Sequence, residues 1–229
     1  MNKSLTIVIP CKNEKLKIIT ALKLIHQQNM DCTIIVADSS DDAYSREILR
    51  NYQSKCPSII KIVEGGSPSV AKNNGAKLVN TPYVLFMNSD MFIVQKDFIK
   101  KCLRQMKKEK LDLMTCTFKC SKNKYNWVYK LVKITQILNK YFGTPFSLSG
   151  FMMFRLEEFN RLGGFDERDK IAENFHISSK IKREKFNVSN NWIYTLSRQL
   201  EKRGVINTVI LGIRCWFNRH NDQFFQKER

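Results

Sequence analysis

Four short apolar runs, each stopping at a polar cluster or a glycine-rich break, constrain this chain more than any other feature. Leu5-Thr6-Ile7-Val8-Ile9 ends at Pro10 and gives way to Cys11-Lys12-Asn13-Glu14. Thr33 to Ala37 ends in Asp38-Ser39-Ser40-Asp41-Asp42, Ile59 to Val63 leads to Gly65-Gly66-Ser67-Pro68, and Tyr83-Val84-Leu85-Phe86-Met87 leads to Asn88-Ser89-Asp90. Short β-branched and aromatic runs bounded by such breaks read as buried strands. Between them the spacing becomes helical. Leu16, Ile19, Leu22 and Ile25 mark a helix to about Gln28, and further helices are expected from about Ala43 to Ser54 and from Ser69 to Leu78. Strands alternating with helices fold as a parallel sheet with right-handed crossovers. Ligands of such sheets bind beyond the carboxyl ends of the strands, so Asn13-Glu14, Asp38 to Asp42 and Asn88-Ser89-Asp90 are expected to share one crevice.

Asp90 separates two apolar runs, Tyr83 to Met87 and Met91-Phe92-Ile93-Val94. Burying an unpaired charge costs several kcal/mol, so an ionised Asp in that setting takes a cation or a donor-rich ligand. Asn88-Ser89-Asp90 is thus a candidate metal and phosphate site. Taken alone, Asp90 reads first as the cap of a helix beginning near Gln95 or as a turn residue, and only its company at the other strand ends favours the site.

The second half is less regular. It predicts a basic helix over Phe98 to Lys108, strands over Leu111 to Phe118 and Leu148 to Phe154, and a helix over Trp127 to Tyr141. Trp127, Leu131, Ile134, Leu138 and Tyr141 share one face of that helix. A helical turn over Glu157 to Leu162 stops at Gly163-Gly164, and a further helix is expected from roughly Ala172 to Lys185. The last forty residues read as mostly basic and amphipathic.

The chain carries seven cysteines with no C-x-x-C pair, an arrangement of buried free thiols rather than a disulfide framework. Cys116 and Cys120 have no nearby His to complete a zinc site. Leu5 to Pro10 is too short for the apolar core of a signal peptide, which gives the expectation of a cytoplasmic protein. The net charge is +18, and Lys100 to Lys140 holds twelve Lys or Arg against Glu109 and Asp112. Such a field attracts polyanions. No zinc finger, aromatic RNA-binding motif or basic zipper accompanies it, so no nucleic-acid partner is expected, and a basic nucleic-acid-binding protein stands only as a further alternative suggested by the charge. His26, His176 and His220 are scattered and read as surface or packing residues.

Five segments, in order and at strand or helix ends, resemble the inverting family 2 glycosyltransferases of the GT-A fold. Ile7-Val8-Ile9-Pro10-Cys11-Lys12-Asn13-Glu14 is similar to the family's first strand and nucleotide-contacting loop. Val36-Ala37-Asp38-Ser39-Ser40-Asp41-Asp42 resembles the segment whose aspartate contacts the base. Ala71-Lys72-Asn73-Asn74-Gly75-Ala76 resembles the Ala-Arg-Asn-x-Gly helix, and Phe86-Met87-Asn88-Ser89-Asp90 the Asp-x-Asp metal motif. Gly163-Gly164-Phe165-Asp166-Glu167 with Glu173-Asn174 resembles the acceptor segment and its Glu-Asp pair.

The resemblance implies a Rossmann-like, mixed but mainly parallel sheet flanked by helices over residues 1–195. Its nucleotide-binding half would cover about 1–95 and its acceptor half about 96–195, with a basic amphipathic helical tail over 196–229. It implies transfer of a sugar from a nucleotide-diphosphate sugar to a hydroxyl acceptor, on a lipid-linked carrier or a cell-surface glycan precursor. Pro10, Asn13, Glu14, Asp38, Lys72 and Asn88 would bind the donor, and Asp90 would hold magnesium or manganese. A divalent cation offsets the charge that develops on a diphosphate leaving group.

The general base is implied in the acidic pair, here Glu173-Asn174. Asn cannot act as a base, so Glu173 stands in, with Asp166 and Asp169 behind it. Besides Lys72 in place of the family's arginine, two departures touch the active site, Asn88 and Asn174, and they keep open a nucleotide-sugar-binding homologue without turnover. The stretch 127–141 is basic and amphipathic, and 205–217 is apolar apart from Asn207, Thr208 and Arg214, with Lys202-Arg203 and Arg219 flanking it. The second is shorter than the about 20 residues that span a bilayer, which suits packing on the domain or lying on an anionic membrane at its inner face.

Overall fold

The computed structural model describes residues 3–56, 59–148, 150–169 and 172–217. The first half alternates as its sequence dictates: β1 (Leu5–Cys11), α1 (Leu16–His26), β2 (Thr33–Asp38), α2 (Ala43–Ser54), β3 (Ile60–Glu64), α3 (Pro68–Ala76) and β4 (Tyr83–Met87). There follow β5 (Met91–Phe92), α4 (Phe98–Lys108), β6 (Leu113–Cys120), α5 (Asn126–Phe142), β7 (Phe151–Arg155), α6 (Leu156–Arg161) and α7 (Glu173–Ser178). The chain then forms β8 (Phe186–Thr195), α8 (Arg198–Arg203) and α9 (Val205–Phe217).

One eight-stranded sheet runs in the order β3-β2-β1-β4-β7-β6-β8-β5. β3, β2, β1 and β4 are parallel neighbours, β7 is antiparallel to β4 and β6, β8 is parallel to β6, and β5 is antiparallel to β8. The β1 to β4 ladder stops at Val8 and Phe86, before Pro10, which has no N–H to give.

β1, β2 and β4 bury both faces, which is why they read as near-continuous apolar runs, while β3 at the sheet edge keeps Lys61 exposed. Leu5, Ile7, Ile9, Ile34, Val36, Leu85 and Met87 point into one core with Ile18, Leu22, Phe98 and Met106 of α1 and α4. Val8, Ile35, Val84 and Phe86 point into the other, with Met152, Phe154, Phe159 and Phe165. In that second core the Phe86 ring lies 4.9 Å from Phe159 and 5.0 Å from Phe165. Each fully buried Phe contributes roughly 1.5–3 kcal/mol, and this cluster seats the segment after α6 against β4. α3 lies so close to β1 that a methyl group on Gly75 would run into Val8.

Two expectations are corrected here. The helix expected from Ala172 to Lys185 is only α7. Ser178 Oγ donates back to Asn174 O at 2.6 Å and Phe175 O at 3.0 Å, and the chain turns at Ser178 to Ile181. The last forty residues, read as mostly basic and amphipathic, begin inside β8, which runs from Phe186 to Thr195 and is the longest strand among the described residues. Its Asn190-Asn191 pair looks like a turn but forms the irregularity where the β6 partner jumps from Ser189 to Trp192.

α5 packs on β6 with the Tyr129 ring against Phe118 and reaches β8 through Lys133, which donates to Asn190 Oδ1 at 2.9 Å, while Gln136 is buried and donates to Phe146 O at 3.2 Å. Its apolar stripe faces away from the sheet. Trp127, Leu131, Leu138 and Tyr141 are each at least half exposed. Ile206, Val209 and Ile210 of α9 are exposed as well. The side chains of Ile213 and Phe217, His220 and the tail beyond Phe217 lie outside the described residues. No helix among the described residues is long and apolar enough to cross a membrane.

Candidate active site

The carboxyl ends of β1, β2 and β3 are laced together by short polar side chains. Asp38 Oδ1 accepts from Ser40 N at 3.1 Å and from Ser40 Oγ at 2.6 Å, and Ser40 Oγ accepts from Asn13 N at 2.9 Å. Asn13 adopts the left-handed region at φ 53°, which Asn tolerates. Its amide donates to Asp41 Oδ1 at 2.5 Å and accepts from Asp41 N at 3.1 Å. Gly65 N donates to Asp38 O at 2.9 Å, and a Cβ on Gly65 would come within 2.7 Å of the Asp38 backbone. Beside this lattice opens a cleft of about 250 Å³ lined by Asp38, Ser40, Arg46, Arg50, Ile62 and Glu64. A larger depression of about 460 Å³ lies at the opposite end of β4, around Asn80 to Tyr83, and holds none of the expected site residues.

Cys11 sits between the same loops. Burial, and then the Asp38 and Glu14 carboxylates, push its thiol up to about 12. A thiol held protonated in that way is no nucleophile.

Asp90 ends a turn from β4, closed by Met91 N donating to Asn88 O at 3.2 Å. β5 follows at once and pairs with the end of β8, Met91 opposite Thr195. That pairing delivers Arg198, the first residue of α8, to the site. Its Nη2 donates to Asp90 Oδ2 at 2.9 Å and to Glu14 Oε1 at 3.0 Å. Burial opposes the charge on Arg198, but the hydrogen bonds to Glu14 and Asp90 outweigh it and raise its pKa. Sequence reading missed Arg198. No spacing rule links it to positions 14 and 90; only the β5–β8 pairing does.

Whether these residues suit a divalent cation is a matter of donor chemistry. Asp90 and Glu14 are hard carboxylate donors that meet at a single nitrogen. Glu14 Oε2 is buried and, among the described residues, has no hydrogen-bond donor; Lys17 Nζ stands 3.8 Å away. No group of three or more His, Cys, Asp or Glu able to hold a metal is found among the described residues. Two carboxylates are the hard donors that magnesium or manganese prefers, but they supply only part of a coordination shell, and the remaining ligands would have to come from outside the protein.

A second cluster is organised by α3. Lys72, only 1% exposed, donates to Glu173 Oε1 at 2.6 Å and to Asn174 Oδ1 at 2.7 Å, and Asn174 Nδ2 donates to the same Glu173 oxygen at 3.0 Å. Phe165 lies beneath the ammonium, 4.9 Å from ring centre to Nζ. Asn73 reads the neighbouring backbone, donating to Phe165 O at 2.8 Å and accepting from Phe165 N at 3.0 Å, while Ser69 Oγ donates to Asp169 O at 2.9 Å. Asp166 is engaged by Arg168, whose Nε and Nη2 reach it at 3.0 and 2.9 Å. The expected donor and acceptor residues thus fall into two groups: Asn13, Glu14, Asp38 and Asp90 in one, Lys72, Glu173 and Asn174 in the other. Lys72, expected on a phosphate, stands in the second.

Residues 6–163 match the family model described as glycosyl transferase family 2. The chain belongs to glycosyl transferase family 2. Its fold resembles a mannosyltransferase, PcManGT from Pyrobaculum calidifontis in complex with GDP-Man and Mn2+, with TM-score 0.70 and 16% identity over 93% of this chain and 65% of that one. S. aureus TarS 1–349 in complex with UDP-GlcNAc gives TM-score 0.67 and 18% identity over 84% of this chain and 58% of that one. These likenesses show the GT-A architecture. Among curated proteins, the poly(ribitol-phosphate) beta-glucosyltransferase of Bacillus spizizenii is 32% identical over 95 residues, 39% of this chain and 15% of that protein. The chain therefore spans less than two thirds of each of these relatives.

Within this family 2 chain, the Ala-Lys-Asn-Asn-Gly motif has a local explanation. Lys72 neutralises Glu173, Asn73 clamps the segment after Gly164, and Gly75 lets the helix approach β1. The motif was visible in the sequence, but the role of Asn73 was not.

Proposed function

We propose that this family 2 chain transfers a sugar from a nucleotide-diphosphate sugar to a hydroxyl acceptor, with inversion at the anomeric carbon. The observation that carries the reading is the convergence of Glu14, Asp38 and Asp90 at the carboxyl ends of β1, β2 and β4. Asp38 and the cleft beside it receive the nucleoside, with Pro10, Asn13 and Asn88 along the donor's path. Asp90, supported by Glu14, would hold magnesium or manganese, whose charge offsets that of the diphosphate leaving group. Glu173 takes the proton from the acceptor hydroxyl. Lys72 and Asn174 both donate to its Oε1 and so fix the orientation of the carboxylate. The complexes of related folds with GDP-Man and Mn2+ and with UDP-GlcNAc support this choice of ligands.

Thermal shift with uridine and guanosine diphosphates and their sugars, in manganese, tests the binding half of this reading. Ligand at about a hundred times its Kd adds ~2.7 kcal/mol, a rise in Tm of about 5–10 °C for a domain of this size. One nucleotide class should give that rise, and Asp38→Ala should lose it. A flat response to every nucleotide contradicts the reading. Binding without turnover is the second reading, favoured by the burial of Glu173 and by the engagement of its Oε1 by Lys72 and Asn174.

The acceptor is proposed to be lipid-linked or a growing cell-surface glycan, and the protein to work at an anionic membrane face. Support comes from the exposed stripe of α5, Trp127, Leu131, Leu138 and Tyr141 with Lys130, Lys133 and Lys140 beside it, and from the exposed Ile206 and Val209 of α9. Amphipathic helices of that composition bind interfaces through apolar area and attraction to anionic lipid. Flotation with phosphatidylglycerol vesicles at low salt should carry the protein upward, and a Trp127→Ser/Leu131→Ser/Leu138→Ser variant should stay behind. Wild type remaining at the bottom of the gradient rules the surface out.

A further inference from the structure

Arg198 is fastened into the site rather than draped over it. The β5–β8 ladder ends at Thr195, Leu200 of α8 is 6% exposed, and Glu201 of the same helix pairs with Lys122 at 2.8 Å. From that anchored helix one guanidinium nitrogen, Nη2, serves Asp90 Oδ2 and Glu14 Oε1 together at 2.9 and 3.0 Å. Two carboxylates brought that close repel each other unless a cation stands between them. A cation ligated by Asp90 would have to share Oδ2 with a nitrogen already in hydrogen-bond contact with it.

We propose that Arg198 is a built-in counter-cation for the Glu14–Asp90 pair, and that a divalent metal binds there by exchange with its guanidinium. The inference rests on Asp90 being the metal ligand. The anchoring of α8 sets where the guanidinium returns, and its partial exposure, 45% of the side chain, leaves it room to swing aside. Arg198 thereby tunes metal affinity downward, so that metal alone binds weakly and metal with an anionic donor binds well.

Mn2+ binding to the full chain, followed by the electron paramagnetic resonance signal of free Mn2+ in the absence of nucleotide, tests the exchange. Arg198→Gln should bind Mn2+ about threefold to tenfold more tightly than wild type, the range set by removing a partly exposed ion-pair competitor. Lys17→Gln removes the same unit of charge near Glu14 without touching the shared nitrogen and should stay within about twofold of wild type. Arg198→Lys keeps the charge on a different head group, so it should fall between wild type and Arg198→Gln; it also serves if Arg198→Gln folds poorly. Affinity in Arg198→Gln equal to or below wild type, with Asp90→Asn weakened, overturns the exchange while leaving the metal at Asp90. Equal affinities in wild type and Asp90→Asn overturn the metal ligand itself. An increase in Lys17→Gln as large as in Arg198→Gln reduces Arg198 to a general charge effect and also overturns the proposal.

Discussion

Replacing Lys72 by methionine is expected to destabilise the protein by about 3–5 kcal/mol, the usual cost of removing one partner from a buried ion pair. Glu173 and Lys72 are both almost completely buried, and the carboxylate would keep only Asn174 as a donor among the contacts seen to its Oε1. For a chain of this length the change corresponds to a fall in Tm of roughly 6–20 °C. The double variant Lys72→Met/Glu173→Leu separates lost charge pairing from lost packing. With no charge left to bury, it should recover most of the deficit, since apolar replacement of a whole buried pair is often near neutral. Calorimetric melting of wild type, both single variants and the double variant measures this. A Lys72→Met protein that melts within about 2 °C of wild type would mean that water reaches the pair, and with it that Glu173 is far more accessible than its burial indicates.

The same pair illustrates what sequence could and could not supply. Glu173 was legible as the acidic member of a Glu-Asn pair, and Lys72 as the basic member of the Ala-Lys-Asn-Asn-Gly helix. Their meeting across 101 residues was not, because it depends on Phe165 docking on Phe86 and on Asn73 clamping Phe165. β1, β2 and β4 were readable for a physical reason. Strands buried on both faces leave uninterrupted apolar runs, and each crossover helix leaves its own period. β8 escaped because its Asn190-Asn191 irregularity interrupts the alternation at mid-strand. Missing β8 also hid Arg198, since only a chain threaded along β6 and back beside β5 brings residue 198 to Asp90.

The apolar stripe of α5 gave a different lesson. Periodicity identified the face correctly, yet a helical period says only that the face is apolar, not whether protein or lipid covers it. The structure buries the opposite side, through Gln136, and leaves the stripe exposed.

Asp90→Asn is the second large effect. The amide keeps the shape of the side chain and can still accept a hydrogen bond from Arg198, so the fold and the β4–β5 turn should survive. What it removes is the negative charge on which the magnesium or manganese ion proposed at Asp90 would depend. Losing that electrostatic support for a departing diphosphate should lower turnover about a hundredfold or more. The direct test of sugar transfer at this crevice is release of nucleoside diphosphate from a panel of nucleotide sugars with manganese, in wild type and Asp90→Asn side by side. Release by wild type with one nucleotide class, falling at least about a hundredfold in Asp90→Asn, is the predicted result. Equal release by the two proteins would contradict it.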